Sequence, residues 1–210
     1  MFILKGINMT TLSTTTIEIL KFLTANLTKD FTILNIAKST GKTPRLTYAT
    51  VKSLIKDKII IMNEKANLKL CRLNLKMPHI IAFIESIRWD DFAKRHLEIS
   101  LLVSDIIERS DLPYLTLLAF GSYARGISTR VSDLDLLIII PDNKFEDSVE
   151  AAVKSAKSLS KITLHHIIVS YPEFLGMLAE RKTNVAKEAL EARYIAYGAE
   201  PFYMMVGRAA

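Results

Sequence analysis

Gly121-Ser122 and, ten residues further on, Asp133-Leu134-Asp135 have the residue types and spacing needed to bring a cation and a phosphate group together. The two aspartates open the apolar run Leu136 to Ile140, which reads as a buried strand, and residues i and i+2 of a strand share a face. Their carboxylates therefore converge on one cation: magnesium prefers such oxygens, and manganese suits the same ligands. Upstream, Tyr114 to Phe120 reads as a second strand, so Gly121-Ser122 falls where that strand turns into a short helix whose free N–H groups attract anions. Gly121 lets backbone approach a phosphate without a side-chain clash, and Ser122 can donate its hydroxyl to a phosphate oxygen. Arg125, a turn or less from Ser122, can grip a phosphate with two parallel hydrogen bonds, or pair with Asp133 or Asp135 when no ligand is bound. Gly126 ends the short helix, Ser132 is placed to orient Asp133, and Arg130 lies in the intervening loop where ligand contacts collect.

These residues need a scaffold, and 210 residues, half of them hydrophobic, suffice for one large core or two small ones. No apolar run approaches bilayer-spanning length, and Met1-Phe2-Ile3-Leu4 lacks the long apolar region and cleavage site of a signal peptide. A cytoplasmic protein with no membrane partner is the expectation, with the residues before Met9 given no function. Cys71 is the only cysteine and sits among apolar neighbours, so it reads as a packing residue. Net charge is +6, but residues 1–77 carry thirteen Lys/Arg against four Asp/Glu, a balance of +9 that leaves −3 for the remainder. That asymmetry predicts two modules with different partners.

In the basic part, apolar residues at Ile17, Leu20, Phe22 and Leu23 predict a helix over 14–26. Thr32 caps a second over 33–39, ended by Gly41 in a left-handed conformation, and Thr43-Pro44 starts a third over 45–56. Leu46, Ala49, Leu54 and Ile55 of the third helix are expected to face inward, and Arg45, Thr47, Tyr48 and Lys52 outward. Runs 59–62 and 68–75 around the polar turn 63–67 read as a hairpin, which completes a winged helix-turn-helix. Arg45, Tyr48, Lys52 and Lys65, with Lys69, are then the candidate DNA contacts, although a lysine-rich helical face is also often just solvated. Residues 33–75 resemble winged-helix domains of archaeal and bacterial transcriptional regulators, through Ile36-Ala37-Lys38 and Val51-Lys52-Ser53-Leu54.

Residues 78–111 read as a helical connector, Pro78 opening a face of Ile80, Ile81, Phe83, Ile84 and Ile87, followed by a helical stretch over 92–107. Trp89 is read as a packing residue, the charged stretch Arg88, Lys94, Arg95 and His96 as solvated, and a homodimer interface in the connector as open. Beyond the aspartates the expected order is a helix over 146–160, a strand over 162–169, a helix over 171–180 and another over 184–197 ending at Gly198. The aromatics of 197–203 are expected to pack against the sheet.

The stretch Phe120 to Leu136 resembles the nucleotidyltransferase domain of the DNA polymerase beta superfamily, in particular its minimal, archaeal-type members. The resemblance covers 112–203 and implies a nucleotidyltransferase-like mixed sheet backed by helices (112–210); with the winged helix-turn-helix (1–77) and helical connector (78–111) read from the residues, an α+β fold is expected for the whole chain. The resemblance also implies a metal-dependent transferase that binds a nucleoside triphosphate at Gly121, Ser122, Arg125 and Gly126, and Mg2+ at Asp133 and Asp135. Nucleoside monophosphate passes to an acceptor hydroxyl; because several minimal members are antitoxins that modify a toxin tyrosine, a protein acceptor is among the implied partners. Many members carry a third carboxylate on a later strand. This chain has His165 and His166 there, so His165 is either a general base or a polar residue at the edge of a site that no longer turns over. Glu173 follows the strand on a loop and could swing in, although a loop-borne glutamate more often stays at the surface. The alternative reading is accordingly a DNA-binding transcriptional regulator whose nucleotidyltransferase fold senses nucleotide.

Overall fold

The computed structural model describes residues 12–112, 114–129 and 131–209; Met1-Phe2-Ile3-Leu4, Met9 and Arg130 lie outside the described residues. The chain divides between Ile84 and Glu85 into two compact units.

The first unit begins with α1 (Thr14–Ala25), α2 (Ile33–Thr40) and α3 (Pro44–Lys56). Ser13, Thr32 and Thr43 cap the three helices with their side-chain oxygens, and Gly41 closes α2 at φ 65°. Strands β1 (Ile60–Lys65) and β2 (Leu68–Leu73) follow as an antiparallel hairpin, and a bridge from Phe31 to Cys71 ties the segment before α2 to it. Cys71 is buried, as a packing residue should be.

Two local expectations are corrected here. The hairpin turn is not 63–67 but Ala66-Asn67 alone, at φ 48° and 63°. A two-residue loop with both central φ angles positive matches the twist of paired strands, so Asn63, Glu64 and Lys65 are paired in β1. The buried stripe of α3 is Thr47, Val51 and Leu54; Leu46 is 46 % exposed and Ala49 also faces solvent. Thr47 was expected outside, but its hydroxyl donates to Thr43 O at 3.0 Å, which satisfies the polar group that burial would otherwise penalise.

Helix α4 (Pro78–Arg95) spans the division between the units, and α5 (Leu97–Ser110) leads into the sheet of the second. That sheet has the order β5-β4-β3-β6, from β3 (Thr116–Phe120), β4 (Leu134–Ile140), β5 (Leu164–Ser170) and β6 (Tyr194–Tyr197). Strand β3 is antiparallel to β4 and β6, whereas β4 and β5 are parallel, joined through a 3-10 turn (Asn143–Phe145) and α7 (Glu146–Ser158). One face of the sheet, including Leu117, Ala119, Leu136 and Ile138, forms a core with Val103 and Ile106 of α5 and Val149 and Val153 of α7. Alternate strand residues point the other way, where α8 (Tyr171–Ala179), α9 (Val185–Glu191) and α10 (Ala199–Ala209) meet β3, β4 and β5. A five-residue helix, α6 (Gly121–Arg125), sits at the end of β3. This mixed α+β sheet backed by helices fits a nucleotidyltransferase-like domain. Among the described residues no helix is long and apolar enough to cross a membrane.

The helix expected over 184–197 is corrected to α9 followed by β6. The run Ala186 to Ala192 favours helix, but Tyr194 to Tyr197 supplies the edge partner of β3, and tertiary pairing overrides local preference. Of the tail aromatics expected to pack, Phe202 and Tyr203 are buried in α10 but Tyr197 is 43 % exposed; Trp89 packs against the core. Arg88, expected to be solvated, is 7 % exposed. Its Nη1 donates to both carboxylate oxygens of Glu85, at 2.7 and 2.6 Å, and its Nη2 to Arg193 O at 2.9 Å. Arg193 Nη2 donates to the Tyr203 hydroxyl at 2.7 Å, which in turn donates to Glu85 Oε1 at 2.6 Å. Burial pushes the Tyr203 phenol well above its usual range.

Candidate functional site

The sheet brings Gly121, Asp135 and His165 to one spot because three strands agree in register. Phe120, the last residue of β3, pairs with Asp135, and Asp135 pairs with His165 across the parallel β4–β5 ladder. Paired residues present their side chains to the same face. His165 Nδ1 accordingly lies 3.2 Å from Asp135 Oδ1, with the His165 side chain 62 % exposed and that of Asp135 27 %. The neighbouring His166 points to the opposite face, where its Nε2 lies 2.7 Å from Glu150 Oε2 on α7. That contact, together with Lys154, holds the Glu150 carboxyl below the ordinary range. The period of two thus gives adjacent histidines different environments.

Gly121 has φ 67°, a conformation that favours glycine, and Asp135 makes a second demand on the position. A Cβ there would collide with the Asp135 carboxylate, coming within 2.9 Å of its Cγ. The glycine therefore accommodates the aspartate as well as any ligand, a reason that spacing alone did not reveal. Ser122 is half-buried at the first turn of α6; Arg125 is exposed in its last turn and makes no ion pair with a described residue. Gly126 terminates α6 at φ 70°, its N–H donating to Ser122 O and Tyr123 O.

Asp133 lies exposed in the residue before β4, one strand period from Asp135. Ser132 does not orient it: the Ser132 hydroxyl oxygen accepts from Thr129 N–H at 2.9 Å and closes the preceding loop. Glu173 is engaged in a helix cap. It takes Ser170 N–H at 2.8 Å and the Ser170 hydroxyl at 2.7 Å, forming the capping box of α8. Those bonds hold its carboxyl below the ordinary range.

Asp135 is the carboxylate against Gly121, with Asp133 two residues earlier in the chain, and among the described residues no cluster of three or more His, Cys, Asp or Glu side chains stands ready for a metal. Two carboxylates still fit magnesium, which commonly takes one or two from protein and the remaining oxygens from phosphate and water. The close approach that glycine permits at Asp135 keeps that carboxylate beside the turn where a phosphate would lie.

The four proposed DNA contacts sit in the first unit. Arg45, Tyr48 and Lys52 are exposed on α3, and Lys65 is exposed at the end of β1. With the helix phase corrected, Ala49 and Lys56 lie on the same outward side.

Sequence reasoning missed one contact chain that reaches α6. Tyr123, next to Ser122, packs edge-on against His96 with ring centroids 5.6 Å apart, and His96 packs against Phe92 at 4.5 Å. Phe92 stacks on Tyr194 at 4.6 Å, and Arg88 lies over the Tyr194 ring at 5.0 Å. The spacing of Phe92 and His96, i and i+4 on a helix, was the available signal.

No curated protein and no solved structure matches the chain. Residues 102–194, from within α5 to the first residue of β6, match the sequence model of a family described as nucleotidyltransferase domain. That part of the chain is similar to nucleotidyltransferase domains, whose general chemistry is nucleotidyl transfer.

Proposed function

We propose that the second unit transfers a nucleoside monophosphate from a nucleoside triphosphate to an acceptor hydroxyl. The observation that carries the reading is the placement of the Asp135 carboxylate between the glycine of the Gly121-Ser122 turn and the imidazole of His165. Asp133 and Asp135 would hold Mg2+ or Mn2+, which, when bound, neutralises phosphate charge and polarises the phosphoryl group under attack. Ser122 donates its hydroxyl to a phosphate oxygen, Gly121 admits the triphosphate close to the backbone, and Arg125 supplies a mobile positive charge at the rim. Gly126 lets the chain leave α6 without covering the site.

The acceptor oxygen attacks the α-phosphorus, the bond from that phosphorus to the bridging oxygen breaks, and pyrophosphate leaves with the electron pair. With His165 Nδ1–H donating to Asp135, the free Nε2 lone pair takes the acceptor's proton. A protein hydroxyl, such as a tyrosine, is one acceptor the resemblance suggests, beside RNA ends and small molecules. The first unit, as a winged helix-turn-helix, binds DNA through Arg45, Tyr48, Lys52 and Lys65; its basic balance is the supporting observation.

A second reading, a nucleotide-sensing regulator, is favoured by His165 standing where a third carboxylate would otherwise face Asp135. Incubating the chain with α-labelled nucleoside triphosphates, magnesium or manganese and host extract separates the two. Label entering protein or RNA with wild type and not with Asp135→Ala supports transfer. Saturable nucleotide binding that changes DNA affinity, with no label transferred, supports the sensor. Neither binding nor transfer sinks both.

A further inference from the structure

Helices α4 and α5 follow one another with His96 alone between them. His96 N–H donates to Phe92 O at 3.1 Å, and Ser100 N–H donates to His96 O at 3.0 Å, so backbone bonding runs up to the junction from both sides. Yet His96 itself adopts φ −134° and ψ 62° and separates the two helices between Arg95 and Leu97. Helix breaks are usually traceable to proline, glycine or an inserted side chain, and neither proline nor glycine is present here. What the break does is place the His96 ring between Phe92 and Tyr123.

Tyr123 belongs to α6, whose five residues are far below the length at which a helix holds itself together. Its position must therefore come from packing. Tyr123 is the α6 side chain packed against the sheet core, and His96 meets its ring at 84°, the edge-on arrangement that aromatic quadrupoles prefer.

We propose that His96 is a positioning residue for the phosphate-binding turn: held by Phe92 at the α4–α5 break, its ring packs edge-on to Tyr123 and fixes α6, and with it Gly121 and Ser122, at the end of β3. The proposal rests on the nucleotide-site reading above. Burial, with the Arg95 guanidinium nearby, holds the His96 imidazole below its ordinary range, so the ring packs as a neutral aromatic. Ring shape, not proton exchange, is what it contributes. Phe92 is supported in turn by Tyr194 and Trp89, which gives the break a rigid backing.

The test is titration of the full chain with a fluorescent ATP analogue in magnesium, read as affinity, beside KM and kcat wherever transfer is detected. His96→Ala should weaken nucleotide affinity about three- to tenfold, the fold-change expected for losing one aromatic pair. Tyr123→Ala should do the same, and the double variant should be no worse than the weaker single, because both remove one contact. His96→Phe should restore affinity to within about twofold of wild type. His96→Leu, which fills similar volume without a ring, stands in should the alanine variant unfold. Additive losses, wild-type affinity in His96→Ala and His96→Leu, or no rescue by phenylalanine would overturn the proposal while leaving the nucleotide site standing. A wild-type chain that binds no nucleotide overturns both.

Discussion

Two carboxylates in the second unit have opposite fates. Glu85 is fully buried and saturated: Arg88 contacts both its oxygens, the Tyr203 hydroxyl donates to one of them, and Arg193 Nε lies 3.6 Å away. Asp135 is a quarter exposed, with His165 as its polar neighbour at one oxygen and a glycine at the other. A buried charge is tolerated only when paired and hydrogen-bonded, so the Glu85 cluster reads as architecture, joining α4, the start of β6 and α10. Among the described residues Asp135 has His165 alone as a polar partner, which leaves bonding capacity at the surface. A carboxylate held in place by register, with one polar partner among the described residues, is available to a ligand, and this difference in saturation distinguishes Glu85 from the proposed site residue Asp135.

The comparison breaks most decisively at Asp135. Asp135→Asn keeps the shape and the Gly121 contact but removes the charge, and should cut nucleotidyl transfer roughly 10³-fold, about 4 kcal/mol of transition-state stabilisation. Its melting temperature should stay within about 2 °C of wild type, since a partly exposed side chain carries little stability. Single-turnover transfer and thermal melts check both halves; wild-type transfer would remove Asp135 from the site. Glu85→Gln should reverse the profile. Two guanidinium groups would lose their shared counter-charge, a loss of about 3–5 kcal/mol in denaturant unfolding, while nucleotide affinity of the folded protein stays near wild type. A Glu85→Gln chain as stable as wild type would show that the cluster is not the structural charge argued here.

Gly121 sharpens the contrast because it belongs to both sides. Gly121→Ala should cost about 1–3 kcal/mol of stability from its left-handed backbone and the collision with Asp135. Adding Asp135→Ala removes the collision, so the double variant should recover part of the loss. Strict additivity in the cycle, measured by chemical denaturation, would mean that the two side chains do not share the space.

What could be read beforehand follows the range of each signal. The Gly-Ser turn and the alternating aspartates are local patterns, and β3, α6 and β4 lie where those patterns put them, with Asp133 falling one residue outside the strand. The proximity of His165 to Asp135 depended on parallel pairing across thirty residues, which sequence spacing suggests but does not specify. Strand β6 was hidden in a run of helix formers because its reason for being extended is the edge of β3. Arg88 was misread for a related reason: its charge says surface, and only Arg193 and Tyr203, more than a hundred residues later, make an interior for it. In α3 the phase slipped because Thr47 donates its hydroxyl to Thr43 O, one turn back, and so behaves as an apolar residue.

Glu173 lies between the two extremes: exposed like a site carboxylate, yet bonded to the Ser170 N–H and hydroxyl at the start of α8. Those bonds favour its ionised form, so its folded pKa lies below the unfolded one. Above the ordinary carboxylate range the group is charged in both states and the cap contributes in full. As pH falls through the lowered folded value the carboxylate is neutralised and that contribution is lost. Glu173→Ala should therefore lower the melting temperature by about 2 °C at neutral pH, a difference that holds down to about pH 5 and shrinks towards zero as the medium becomes more acidic. Nucleotide transfer should be unaffected throughout, because Glu173 is engaged with the backbone at the far end of β5 from His165. A transfer defect in Glu173→Ala at unchanged stability would place this carboxylate with Asp135 and not with Glu85, and would show that bond saturation does not by itself separate the two kinds of charge.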